Sequence, residues 1–205
     1  MRQLSGYTFD VPVDWYALPV DDNSSAHDFA RSLLQEVAPA VPASDNATAF
    51  VADVEDIVTR LRLETGGAAS AAALVRTTGG PRLAAIVTHL VHDLDDDDTP
   101  ESYEAFTRQA LNRSIPGNRS LEADTWQLEC AAGRVVGARH VAQRSEPGND
   151  EQWAEQRTIF AVFVTGTRQM IQFTFITSDF MAFSDMASET WSLVATVRPD
   201  LEAAA

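Results

Sequence analysis

The chain has no lysine; all fifteen of its bases are arginine. That absence excludes a Schiff-base lysine, a phosphate-loop lysine and a Ser–Lys pair. Cysteine is nearly absent too. Cys130 stands alone, so an internal disulfide is impossible. Positive charge is scarce as a whole: thirty acids face the fifteen bases, for a formal net charge of -15 and a pI near 4.5. The run from Asp95 to Asp98 supplies only part of that excess. A surface so negative is repelled by phosphate backbones and anionic lipid, which argues against nucleic acid and membrane partners. No uncharged run approaches the length of a membrane span. No apolar signal core follows Arg2, and cytoplasmic residence is the expectation.

What is present is ordinary for a globular protein. The chain has 205 residues, 45% of them hydrophobic and 22% charged. That is enough for one substantial core, read as a single domain over 1–205. Arginine in place of lysine throughout points to a high-GC, actinobacterial genome.

Tyr7 to Val13 alternates apolar and polar residues and predicts a half-buried strand that ends near Pro12. Ser24 or Ser25 is placed to cap a helix with Phe29, Ala30, Leu33, Leu34 and Val37 on one face, ending at Pro39 and Pro42. Ser44 or Asp45 opens a second, with Phe50, Val54, Ile57, Val58 and Leu61 facing inward and Gly66-Gly67 as its stop. These two form a helical insertion over about 25–65. Strands follow at 72–77 and 83–94 around the turn Gly79-Gly80-Pro81. Thr99 and Pro100 start a helix whose expected inner face is Tyr103, Phe106, Ala110 and Leu111, closed by Pro116-Gly117. From there the pattern is β, over 126–131, 134–143, 158–165 and 168–177, with turns at Gly133, at 147–150 and at Gly166. Ser178 or Asp179 opens a last helix, with Phe180, Phe183, Ala187, Trp191, Val194 and Val197 inward. Pro199 ends it, and the alanines that follow are expected to fray.

Hairpins with grouped helices make the fold class α+β: a curved antiparallel sheet with helices packed on it. The order of elements resembles the Mog1/PsbP-like fold. Tyr7-Thr8-Phe9-Asp10-Val11-Pro12-Val13-Asp14-Trp15 is similar to that family's first strand and Pro-x-x-Trp step. Thr99 to Asn112 resembles its helix after a strand, and Thr158 to Val197 its closing hairpin and C-terminal helix. The resemblance implies an α/β/α sandwich and a binding role, since families of this fold include a small-GTPase partner and extrinsic photosystem subunits.

Few residues suggest chemistry. Asp93, Asp95, Asp97, Glu101 and Glu104 fall at positions one, three, five, nine and twelve of a calcium-loop pattern, with Asp93, Asp95, Asp97 and Glu104 as the candidate Ca2+ ligands. Asp98 stands where the turn favours glycine, and Pro100 lacks a needed N–H. The competing reading is a solvated acidic loop leading into a helix, its acids favourable at the N-terminus. His89 and His92 form an H-x-x-H pair, but on a strand an odd separation sends them to opposite faces. His140 lies on a strand and His27 at a helix start, neither beside a nucleophile motif. Cys130 alternates with Trp126 and Leu128 and reads as a small core residue, and a Cys130–His140 pair is the alternative. Arg108, Arg113 and Arg119 gather around a helix end. Trp15, Tyr16 and Trp153 sit near strand ends, as core or, if exposed together, as a partner surface.

Without a convergent catalytic set, the expected function is a non-catalytic protein-binding module with no resident cofactor. A homo-oligomer is compatible with it. The alternatives are a Ca2+-responsive regulator through 93–104 and a small enzyme around His89, His140 and nearby acids.

Overall fold

The computed structural model describes residues 2–20, 24–38, 45–113, 117–145 and 152–203. Pro39, Pro42, Ser44, Pro116 and the expected turn at 147–150 lie outside them. The fold is α+β, with, among the described residues, four helices packed on antiparallel strands. Its contacts divide into two compact units, Pro12–Leu90 and Met1–Val11 with Val91–Ala205.

In the unit Pro12–Leu90, β2 (Trp15–Leu18), β3 (Ser70–Arg76) and β4 (Arg82–Asp93) pair antiparallel in that order. The expected helices are α1 (Ala26–Val37) and α2 (Asp45–Thr65). Ser25 caps α1, its Oγ accepting the Asp28 N–H at 3.2 Å. Gly66 and Gly67, both at positive φ, stop α2 as anticipated. The apolar stripes of the helices meet alternate residues of β3. Phe50, Val54, Val58, Ala30 and Leu33 pack with Ala71, Ala73 and Val75 in one buried cluster. Near the end of α2, Arg62 donates to the carbonyls of Pro19 and Ser24, which ties the β2–α1 connection to the helix.

In the other unit, β5 (Asn118–Cys130), β6 (Gly133–Ser145), β7 (Gln152–Val164) and β8 (Gln169–Thr177) form an antiparallel meander. Alternation sorts its residues onto two faces. One face carries Trp126, Val135, Phe160, Val162, Ile171, Phe173 and Phe175, and α4 (Met186–Val194) lies on it through Trp191, 5.7 Å from Phe160. The other face carries Thr125, Gln127, Arg134, Phe163 and Gln172. There α3 (Pro100–Leu111) sits, with Tyr103 donating to Gln172 Oε1 at 2.8 Å. The capping box at Thr99 and Pro100 forms as the sequence predicts.

Several expectations change. The strands predicted from 126 and 158 begin earlier, at Asn118 and Gln152. The strand predicted over 7–13 is β1 (Arg2–Thr8), earlier in the chain, and Val13 is 96% exposed. Tyr7 and Phe9 supply the inward half of the alternation, their rings against Phe173. Phe106 is 68% exposed, whereas Glu104 and Thr107 face the sheet. The strands beneath α3 present Thr125, Gln127 and Gln172 beside the apolar Val136, Ala161 and Phe163, so the helix turns Tyr103, Glu104 and Thr107 toward them. The last helix begins at Met186, seven or eight residues late. Thr177 Oγ1 accepts the Asp179 N–H and Asp179 Oδ1 the Met181 N–H, local bonds that compete with helix, while Asp185 caps the true start. After it comes a strand, β9 (Arg198–Ala203), paired antiparallel with β1.

Gly137 sits between Trp126 and Phe160 in register across β5, β6 and β7. A Cβ there would stand 2.3 Å from Trp126 Nε1. Gly137→Ala is therefore expected to cost about 1–3 kcal/mol by overpacking. Thermal unfolding with tryptophan emission checks this, and a Trp126→Leu background should remove most of the penalty.

Candidate functional site

The start of β5, the end of β6, the start of β7 and the end of β8 share one end of the meander. Two groups of polar and charged side chains lie there, one on each face.

On the face that carries α3, alternation brings Ser120, His140, Arg144, Glu155 and Arg157 together. A β-bulge between Ser120 and Glu122 shifts the register at this point, a device that re-aims side chains near functional sites. His140 is only 5% exposed, and its Nε2 lies 3.2 Å from Ser120 Oγ. Ser120 itself is exposed. Glu155 accepts from Arg144 at 3.0 Å and also from Arg157. Burial opposes charge on Glu155, but the bonds and charges of Arg157 and Arg144 outweigh it and hold the carboxyl below its ordinary range. Burial first, then the charges of Arg144 and Arg157, push His140 below the ordinary imidazole value against the pull of Glu155.

On the opposite face, a cleft of about 350 Å3 opens between the strand ends and the segment leading into α4. Arg139, Gln156 and Thr177 line its strand side, Phe180, Phe183 and Asp185 its other wall. Arg139 pairs with Glu122 at 3.1 Å, and its Nε is buried without a hydrogen-bond partner among the described residues. Asp185 is held below the usual carboxylate value first by its bonds to Ser188. Large apolar side chains stand exposed at this same end: Leu121, Trp153, Phe180 and Met181, the last 87% exposed.

The residues singled out from sequence are mostly elsewhere. Asp93 Oδ1 accepts from Gln169 at 2.8 Å, Asp95 N donates to Asp98, and Asp96 pairs with Arg168. Glu104 turns to the sheet, accepting from Thr125 at 3.0 Å and Gln127 at 2.7 Å and pairing with Arg108. Among the described residues no group of three or more His, Cys, Asp or Glu is placed to hold a metal. His89 and His92 lie on β4, an odd step apart. Burial lowers His89 to about 4, and His92 Nε2 is buried without a partner among the described residues. Cys130 pairs with Gly133, far along β6 from His140 and on the other face, so those two do not meet. His27 bonds Glu55 at 2.9 Å. Arg108 serves α3 and its sheet contact, donating to Thr125. Sequence reading singled out His140 but missed Ser120, Arg144, Glu155 and Arg157. Their only signal is period-two alternation across three strands, visible once the register is known.

Among the described residues, no helix is long and apolar enough to cross a membrane. No family model matches the chain, and no curated protein matches it. Among solved structures it is similar to LpqN, involved in cell envelope biogenesis of Mycobacterium tuberculosis. The identity is 16%, the match covers 96% of this chain and 84% of that one, and the TM-score is 0.37.

The depressed histidines fix a pH dependence. Each binds protons more readily unfolded than folded, so its contribution to stability is complete above the unfolded value of 6.5. It is lost as pH falls toward the folded value, about 4 for His89. Urea unfolding between those limits should show stability falling with acidity, and His89→Gln should flatten the slope. An unchanged slope would refute the assignment to His89.

Proposed function

We propose that the protein is a non-catalytic protein-binding module of Mog1/PsbP-like type that works in the cytoplasm. The observation that carries this reading is the exposure of Leu121, Trp153, Phe180 and Met181 at one end of the β5–β8 sheet. Trp153 lies on the α3 face and Phe180 on the other, and large apolar groups exposed at one end of a sheet are a feature of partner surfaces. The cleft beside Phe180 offers a partner one wall with Phe180 and Phe183 and, facing it, Arg139, which is paired with Glu122. The -15 charge favours partners that are basic or neutral. A single thiol suits a reducing compartment.

The test is affinity capture from cells of the source organism with two baits, wild type and Phe180→Asp/Met181→Asp. Proteins held by wild type should be reduced about tenfold or more on the variant, with matched circular dichroism. Equal recovery on both baits rejects the surface.

A second reading rests on the bond between Ser120 Oγ and His140 Nε2. In a small acyl hydrolase, Ser120 Oγ would attack an ester carbonyl while its proton passes to a neutral His140, which then protonates the departing alkoxide. Water would release the acyl group from Ser120 by the same route reversed. A fluorophosphonate probe should then label wild type and not Ser120→Ala, and absence of any label on wild type removes the reading.

A further inference from the structure

We propose that the outer edge of β5 takes up a basic, extended segment of a partner protein as an added antiparallel strand. The inference rests on the protein-binding reading and names the kind of partner.

In an antiparallel sheet, every second residue of an edge strand turns its N–H and C=O away from its one neighbour. Among the described residues, β6 is the only strand paired with β5. Edges are commonly blunted by shortness, proline, bulges or charged side chains, lysine above all, and β5 carries its charges as acids at Glu122, Asp124 and Glu129. Here β5 has thirteen residues, no proline lies in it, and the chain has no lysine. Its one bulge, next to Leu121, leaves Glu122 to Cys130 in unbroken register.

The side chains along that stretch define the complement. Glu122 is neutralised by Arg139. Asp124 and Glu129 are exposed, and neither pairs with a cation among the described residues. Trp126 and Leu128 are half-buried on one face and offer an apolar margin to residues opposite them. An added strand therefore needs bases opposite Asp124 and Glu129 and apolar residues opposite Trp126 and Leu128. In the exposed position beside Leu121, such a strand would also run into the apolar end of the sheet.

A second copy of this chain fits less well. Pairing two β5 strands about Trp126 sets Asp124 against Leu128 and Glu129 against Ala123, which leaves both acids uncompensated. The register that brings Arg119 to Glu129 sets Asp124 against its own copy. Like charges directly opposite destabilise a strand pair.

The probe is the blocked peptide Thr-Lys-Val-Thr-Val-Thr-Lys-Thr, titrated by fluorescence anisotropy into the full chain at about 0.15 M salt, with hydrogen exchange of the β5 amides. Saturable binding with slowed exchange in β5 is expected. Asp124→Arg/Glu129→Arg should weaken binding at least tenfold, and alternate N-methylation of the peptide should abolish it. Asp95→Arg/Asp97→Arg should leave it unchanged. Equal loss in that control, binding by the N-methylated peptide, or no binding at about 1 mM overturns the proposal. A concentration-dependent dimer with protected β5 amides overturns it in favour of a second copy. Phe180→Asp/Met181→Asp should keep the peptide. If the peptide fails while that variant still loses its captured partners, the edge proposal falls and the binding-module reading stands.

Discussion

One transverse row of side chains holds the β5–β8 sheet and what lies on it: Trp126, Gly137, Phe160 and Phe173, in register across four strands. Phe160 and Phe173 are fully buried. Gly137 has no side chain, so the Trp126 indole leans across β6 and reaches Phe160 edge-on at 6.2 Å. Phe160 in turn meets Phe175 and Trp191, which seats α4, while Phe173 receives Tyr7 and Phe9 from the other end of the chain. A slip of one residue would invert every face, so this row also fixes the register that gathers the polar cluster beneath. Both faces of the candidate site inherit their geometry from it.

The two faces are held by different physics. Under α4 the contact is aromatic and apolar, non-directional and sensitive to volume. Under α3 it is a lattice of hydrogen bonds: Tyr103 to Gln172, Thr125 and Gln127 to Glu104, and Arg134 to Glu101 and Gln127. Each such bond adds little net stability where its groups are exposed, but each demands one geometry. The bonds add to an apolar contact, Tyr103 edge-on to Phe163 at 5.9 Å above the buried Val136 and Ala161, and together they leave Phe106 in water. The rotation of the helix is set by directional bonds from Glu104 and Tyr103 as well as by that apolar contact.

This division sets what was legible in the sequence. Where packing is apolar, periodicity sufficed: the stripe of α2 through Phe50, Val54 and Val58 and the strands at Val135 and Ile171 fall where alternation puts them. Caps with explicit chemistry, Ser25 and Thr99, were readable for the same reason. The rotation of α3 was not, because Glu104 and Thr107 look like solvent-facing residues until Thr125 and Gln127 are known to lie opposite Glu104. The late start of α4 was hidden by apolar residues at helical spacing, Phe180 and Phe183, which instead belong to the cleft wall. β9 escaped because its partner β1 lies at the far end of the chain. The cluster around His140 was illegible for a related reason. Its members come from three strands, and no local motif marks a group assembled by register alone.

The order of preference between a binding surface and a Ser–His enzyme follows from where the charges are spent. A serine–histidine pair gains power when a carboxylate fixes the imidazole and stabilises its charged form. The nearest candidate, Glu155, is committed to Arg144 and Arg157. Those guanidiniums, with burial, lower the basicity of His140. A weakened base keeps the ring neutral, but it also reduces the drive to take the Ser120 proton. The arrangement stabilises an ion-paired strand end more effectively than it activates a hydroxyl. What that end presents outward is Leu121 and Trp153, apolar groups whose exposure is unfavourable until something covers them.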